Sequence, residues 1–120
     1  VNLGSIAGRE VYPGGAVYCA TKHAVRALSQ GMRQDLLPYG IRVSLICPGA
    51  VETEFSLVRF KGDNQRAASV YDGYTPLSAD DIARTIRFAL AAPAHVDLQD
   101  ILVMPTAQAD ARSFHRTPKG

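Results

Sequence analysis

No stretch of the chain approaches the roughly 20 consecutive apolar residues that a membrane-spanning helix requires, and no signal-peptide pattern opens it. A membrane partner is therefore not expected. Cysteine is scarce: Cys19 and Cys47 stand far apart, form no CxxC pair and have no histidine at metal-ligand spacing. That pattern argues against a zinc site and against a disulfide framework, and it favours a reducing, cytoplasmic compartment. An excess of one charge is missing too, because 13 Lys and Arg against 11 Asp and Glu leave only +2. No basic run occurs before His115, Arg116 and Lys119, so nucleic acid is not an expected partner, and that short cluster reads as a solvated chain end. Internal repeats and low-complexity tracts are absent as well.

What is present is a chain of 120 residues, 47% hydrophobic and 20% charged, suited to one globular domain or to part of a larger one. Val1 leads directly into the apolar VNL, which reads as the end of a buried strand cut in mid-element. Gly4 to Gly15 follows as a loop carrying Ser5 and the turn-forming Pro13, Gly14 and Gly15. From Ala16 to Leu37, Val17, Ala20, Ala24, Val25, Leu28, Met32 and Leu36 recur at steps of three and four, which predicts a long helix with that stripe buried. Pro38 and Gly40 end it.

Ile41 to Cys47 is short, apolar and β-branched, and predicts a buried parallel strand. Pro48 and Gly49 break it, leaving Ala50 to Glu54 as a loop at the carboxyl end of the strand, where open α/β sheets place their ligands. Phe55 to Tyr74 lacks a firm period and reads as short helices forming a lid. Ser78 is a helix N-cap with Asp80 and Asp81 in the first turn, and that helix runs to Pro93. Asp100 to Pro105 supplies a further strand with an expected core role for Ile101 to Met104, and Thr106 to Gly120 reads as a polar tail. The alternation of strands and helices predicts a doubly wound, parallel α/β fold.

Tyr18 and Lys22, four residues apart, share one helix face. A phenol titrates near pH 10 and is a poor proton carrier at neutral pH. A positive charge about 4 Å away, worth about 4 kcal/mol at an effective dielectric of 20, favours the phenolate and makes such a group a usable acid and base. Placement in the first helical turn acts in the same direction. Ser5, just past a strand end, can donate to a carbonyl oxygen as charge builds on it. Thr53 can bond a cofactor amide or phosphate. His23, about 100° around the helix from Lys22, reads as packing or surface, Cys19 as a buried filler and Cys47 as strand-end core.

Taken in this order, GSIAG around Ser5, YCATK around Tyr18 and Lys22, and PGAVET after the second strand resemble the short-chain dehydrogenase/reductase family. The resemblance implies the carboxyl-terminal half of a doubly wound parallel-sheet Rossmann-type domain. It further implies that Ser5 polarises a carbonyl, that Tyr18 gives or takes the proton, and that Lys22 assists Tyr18 and holds the nicotinamide ribose. Pro48, Gly49, Val51 and Thr53, together with Tyr18 and Lys22, would then line the cofactor site, and no metal is implied. NADP is expected ahead of NAD, and the late LVMPTAQ points to the branch acting on 3-hydroxy acids, serine-like substrates and small alcohols.

The family also implies a homodimer or homotetramer, compatible with the small residues Ala20, Ala24, Ala27 and Gly31 on the long helix. Its glycine-rich phosphate loop has no counterpart here, because neither GxxxGxG nor GxGxxG occurs. The family's Asn-Ala-Gly element and its catalytic asparagine are missing as well, so residues 1–120 are expected to lack the amino-terminal dinucleotide-binding half. The resulting expectation is an oxidoreductase passing hydride between a nicotinamide cofactor and a small hydroxy or carbonyl compound. Its rivals are an inactive fragment or interaction module, and an epimerase or dehydratase using the same Tyr and Lys spacing.

Overall fold

Three short strands pair in parallel in the computed structural model, which describes residues 1–119. β1 (Asn2–Leu3) lies beside β2 (Leu45–Pro48), which lies beside β3 (Asp100–Val103), giving the order β1-β2-β3. The register pairs Leu3 with Ile46 and Cys47 with Leu102. Parallel neighbours need crossovers, and these contain α1 (Ala16–Asp35) between β1 and β2 and α4 (Ala79–Leu90) between β2 and β3. The result is a Rossmann-type parallel α/β arrangement. Two short helices, α2 (Phe55–Arg59) and α3 (Asn64–Ser69), occupy the segment expected to be a lid.

The central strand is the core. Leu45, Ile46 and Cys47 are at most 2% exposed, as a strand covered on both faces requires, and Ala7, Cys19, Val43, Ile82 and Ala89 are buried with them. The ladder starts at Leu45, four residues later than the expected strand from Ile41. Side chains take up the backbone groups just before it. The Arg33 guanidinium donates to the Val43 carbonyl at 2.9 and 3.2 Å. Arg42 spreads over the end of α4, donating to the carbonyls of Ala92 and Val96 at 3.0 and 2.9 Å, where a cation complements the helix dipole.

α1 departs from expectation in its facing. Val17, Leu28 and Met32, from the predicted buried stripe, are 81%, 64% and 42% exposed, while Cys19 and Ser29 are the residues buried against the sheet side. Periodicity located the helix and its apolar stripe but carried no information about which stripe meets this sheet. Ser29 fits inside because its hydroxyl donates to the Val25 carbonyl and accepts from the Asn2 amide. α1 ends at Asp35, Pro38 continues the chain as a single tight turn over Leu37–Tyr39, and Gly40 stops it at φ 65°, a left-handed conformation that glycine adopts without strain.

α4 begins as its sequence predicts. Ser78 and Asp81 form a reciprocal capping box, in which the Ser78 hydroxyl accepts from the Asp81 N–H and the Asp81 carboxylate accepts from the Ser78 N–H. β3 is less enclosed than expected: Leu102 is 42% exposed, and Ile101, Val103 and Met104 are half-buried.

The basic chain end is exposed as expected, but it is not loose. Arg116 donates to the carbonyls of Val70 and Asp72 and stacks on the rings of Tyr74 and Phe114, while Lys119 pairs with Asp72 at 2.9 Å. The polar tail thus straps the end of the lid segment. No helix among the described residues is long and apolar enough to cross a membrane.

Candidate active site

Ser5 follows β1 after Gly4, with extended backbone at φ −169°, and caps the tight turn Ile6–Gly8 by accepting the Ala7 N–H at 3.1 Å. That turn lies hard against α1. A Cβ on Gly8 would stand 2.7 Å from the Lys22 carbonyl oxygen, so only glycine lets the Ser5 loop approach the helix this closely. The same contact sets Ser5 beside the first turns of α1, which carry Tyr18 and Lys22.

Tyr18 and Lys22 are both half-buried, and the Lys22 ammonium stands 6.0 Å from the centre of the Tyr18 ring. The entry to α1 is shaped by Gly15, whose missing side chain leaves room for the Tyr12 ring; a Cβ there would come within 2.2 Å of it. Burial pushes the Tyr12 hydroxyl above its ordinary value, and the charge of Arg59 pulls it the other way. His23 uses Nδ1 to meet the Cys19 carbonyl at 2.7 Å, a packing role within its own helix.

The loop after β2 forms the facing wall. Gly49 donates to the Val103 carbonyl at 2.7 Å, and the Ala50 N–H donates to Oε1 of Gln108 at 2.8 Å. Gln108 is only 6% exposed, and its Nε2 donates onward to the Asp110 carbonyl at 3.0 Å. Gly49 has no room for a side chain, since a Cβ would fall 2.4 Å from that same Gln108 oxygen. Further along, Val51 bridges Leu77 in parallel, with Glu52 N–H donating to the Leu77 carbonyl and Leu77 N–H to the Ala50 carbonyl. The neck of the lid is closed by backbone bonds.

Within the lid, the Tyr71 hydroxyl donates to the Val51 carbonyl at 2.8 Å and takes up the Ser56 hydroxyl at 3.0 Å. Thr53 is exposed, and its Oγ1 accepts the Phe55 N–H at 3.2 Å, which starts α2. α2 carries Phe55 onto Tyr18, with ring centres 5.7 Å apart and planes tilted by 41°.

These parts enclose one cavity of about 690 Å³, within the usual range for small-molecule sites. Ser5, Tyr18, Lys22, Pro48, Gly49, Val51 and Thr53, all singled out from the sequence, line it together. Its charged lining residues are Lys22, Arg59 and Arg116, with no carboxylate. Three contributors were not read from the sequence as site residues. Gly8 and Gln108 act through tertiary neighbours, and Phe55 was placed only in an unassigned lid. Gln108 closes the quoted LVMPTAQ, but nothing in that string reveals a bond to Ala50, 58 residues away. The hydroxyl, ammonium and loop donors around this cleft, which holds no carboxylate, suit a nicotinamide nucleotide, and no side chain fills the space they surround.

A sequence model described as short chain dehydrogenase matches residues 1–63. An uncharacterized oxidoreductase of Mycobacterium tuberculosis is 54% identical over 111 residues, which are 92% of this chain and 44% of that protein. An NADP-dependent 3-hydroxy acid dehydrogenase of Schizosaccharomyces pombe is 47% identical over 116 residues, 97% of this chain and 45% of the relative. Among solved structures, the closed form of serine dehydrogenase complexed with NADP+ superposes with a TM-score of 0.88 at 42% identity, over 97% of this chain and 48% of that one. The chain thus spans about half the length of the relatives it matches.

Proposed function

The chain belongs to the short-chain dehydrogenase family, and from that premise we propose that it carries the proton-transfer half of a hydride-transfer site for a small hydroxy or carbonyl compound. The convergence of Ser5, Tyr18 and Lys22 on one cavity carries this reading. In the reducing direction, the Ser5 and Tyr18 hydroxyls donate to the substrate oxygen, and Tyr18 releases its proton as that oxygen becomes an alkoxide. The Lys22 ammonium offsets the negative charge left on Tyr18. In the oxidising direction the same proton returns to Tyr18.

NADP or NAD supplies or accepts the hydride when bound. Lys22 and Tyr18 would hold its ribose hydroxyls, and Pro48, Gly49, Val51 and Thr53 would border its nicotinamide. The NADP named for the fission-yeast relative and for the serine dehydrogenase complex supports NADP first. Phe55 over Tyr18 excludes water from the reacting atoms, which strengthens every polar interaction there.

The full protein is inferred to be a homodimer or homotetramer joined through α1. The exposed apolar stripe of Val17, Leu28 and Met32 supports that inference, because such residues on one helix face call for a cover. Both cysteines are free and buried, in keeping with a reducing, cytoplasmic setting.

The test is Tyr18→Phe in the complete protein, read by NADPH consumption and by NADPH binding. Loss of turnover with binding retained is expected. Turnover that survives the change sinks the assignment.

A further inference from the structure

The turn that carries Ser5 is one hydrogen-bonded unit. The Gly8 N–H donates to the Ser5 carbonyl at 2.9 Å, and the Arg9 and Glu10 N–H groups both donate to the Ile6 carbonyl, at 2.9 and 3.1 Å. That unit is clamped at both ends. At its start, a Cβ on Gly4 would stand 3.0 Å from Leu45 Cδ1 and 3.1 Å from Cys47 Sγ, so the chain there lies directly on β2. At its end, the Arg9 guanidinium crosses to the Asp100 carboxylate at the start of β3, 91 residues away in sequence.

Asp100 holds more than that one partner. Nε of Arg26, on α1, stands 3.6 Å from its second oxygen, and the Cys47 thiol on β2 donates to its first at 3.5 Å. Burial pushes the Cys47 thiol above its ordinary value, so it stays protonated and available as a donor. Arg26 lies four residues after Lys22 and shares its helix face. One carboxylate therefore joins the Ser5 turn to the helix that carries Tyr18 and Lys22, and both to the central strand. The described residues offer Arg9 no other ion pair, and its buried Nε has no partner among them. None of Arg9, Arg26 and Asp100 lines the cavity.

We propose that Asp100 is a positioning residue for this site: through Arg9 it fixes the Ser5 hydroxyl at its working distance from Tyr18 and Lys22. A half-buried guanidinium that loses its carboxylate is drawn towards water. Because the turn is a single hydrogen-bonded unit, Ser5 is displaced with it. A misplacement of about 1 Å is enough to cost a reaction of this kind about a hundredfold. The assignment rests on the hydride-transfer reading above for its consequence in turnover, but not for its effect on the turn itself.

The experiment compares wild type, Ser5→Ala, Asp100→Asn and the double variant in the complete protein, with 3-hydroxypropanoate and NADP+ as probes. Asp100→Asn is expected to lower kcat about tenfold, with KM and NADPH affinity little changed. Asp100→Glu, which keeps the charge, should recover part of the loss. In the Ser5→Ala background Asp100→Asn should cost nothing further, because the group it positions is gone. Losses that multiply in the double variant show that Asp100 acts elsewhere, and they overturn the proposal. Arg9→Gln should repeat the pattern, and it carries the test if Asp100→Asn does not fold.

Amide hydrogen exchange separates the remaining cases, because the Ala7 N–H is bonded to the Ser5 hydroxyl oxygen and the Gly8 N–H to the Ser5 carbonyl. Both amides should exchange faster in Asp100→Asn and in Arg9→Gln, while the amides of α4 keep their rates. Faster exchange in a protein that does not turn over the probe, or whose Ser5→Ala variant is as active as wild type, upholds the positioning and defeats the hydride-transfer role of Ser5. Unchanged exchange at Ala7 and Gly8 overturns the proposal whatever the turnover.

Discussion

The ring of Phe55 lies 5.7 Å from that of Tyr18, so the first helix of the lid rests directly on the proposed proton carrier. Phe55 is 49% exposed, and its contribution to stability is correspondingly small. Phe55→Ala is expected to leave the thermal midpoint nearly unchanged while lowering kcat/KM by about tenfold, the cost of admitting water and loosening the substrate's orientation. Steady-state kinetics alongside a melting curve check both halves.

Gln108 is the buried brace of the loop after β2. Gln108→Leu removes the acceptor for the Ala50 N–H and the donor for the Asp110 carbonyl, leaving two polar groups in a site too enclosed for easy hydration. Each unsatisfied group costs about 1–3 kcal/mol. Urea denaturation should show destabilisation in that range or above, and NADPH affinity should fall with it, because Gly49 and Val51 lose their support. Equal affinity would show that the loop holds its shape without the brace.

Gly8 measures how tightly the Ser5 loop must approach α1. In Gly8→Ala the new methyl would meet the Lys22 carbonyl oxygen at 2.7 Å, and backbone rather than a flexible side chain has to yield. Overpacking of this kind costs about 1–3 kcal/mol. Turnover is expected to drop further than stability alone predicts, since the displacement falls between Ser5 and Lys22. Gly31→Ala, where a Cβ meets nothing within 4 Å, is the matched control and should stabilise α1 slightly.

Two surface carboxylates contribute to the acid dependence of folding. Asp81 is held below its ordinary value of 3.8 by the Ser78 backbone and hydroxyl, and Asp110 by the Arg112 and Ser113 N–H groups and the Ser113 hydroxyl. A carboxylate with a depressed folded value stabilises the fold above its unfolded value near 3.8, and that contribution disappears as pH falls through the lower folded value. The urea midpoint should therefore decline below about pH 4. In Asp81→Asn with Asp110→Asn the decline should be shallower. An identical acid profile in the double variant would assign the loss to other groups.

The site was more legible in the sequence than the packing around it. Ser5, Tyr18 and Lys22 are short-range features, one at a strand end and two a helical turn apart, so local spacing suffices to put them on the right elements. The capping box at Ser78 and the stop at Gly40 were readable for the same reason, since each satisfies backbone groups within a few residues. The facing of α1 was not readable, because Val17, Leu28 and Met32 have the period of a buried stripe whether or not anything covers them. The start of β2 was also hidden. Arg33 takes the Val43 carbonyl from 10 residues away, and the ladder begins only after it.

By itself, the sequence determined the parallel α/β class, the elements that carry the candidate chemistry and the hydroxyl and ammonium groups available for it. These follow from periodicity, caps and spacing, which act over one or two turns of chain. Only the tertiary structure decided what closes the site and what braces it. Gly8 against Lys22, Gln108 beneath Ala50, Phe55 on Tyr18 and Arg116 across the lid are contacts between distant residues. Their worth depends on a geometry that no local pattern encodes, because close packing and burial belong to the assembled fold.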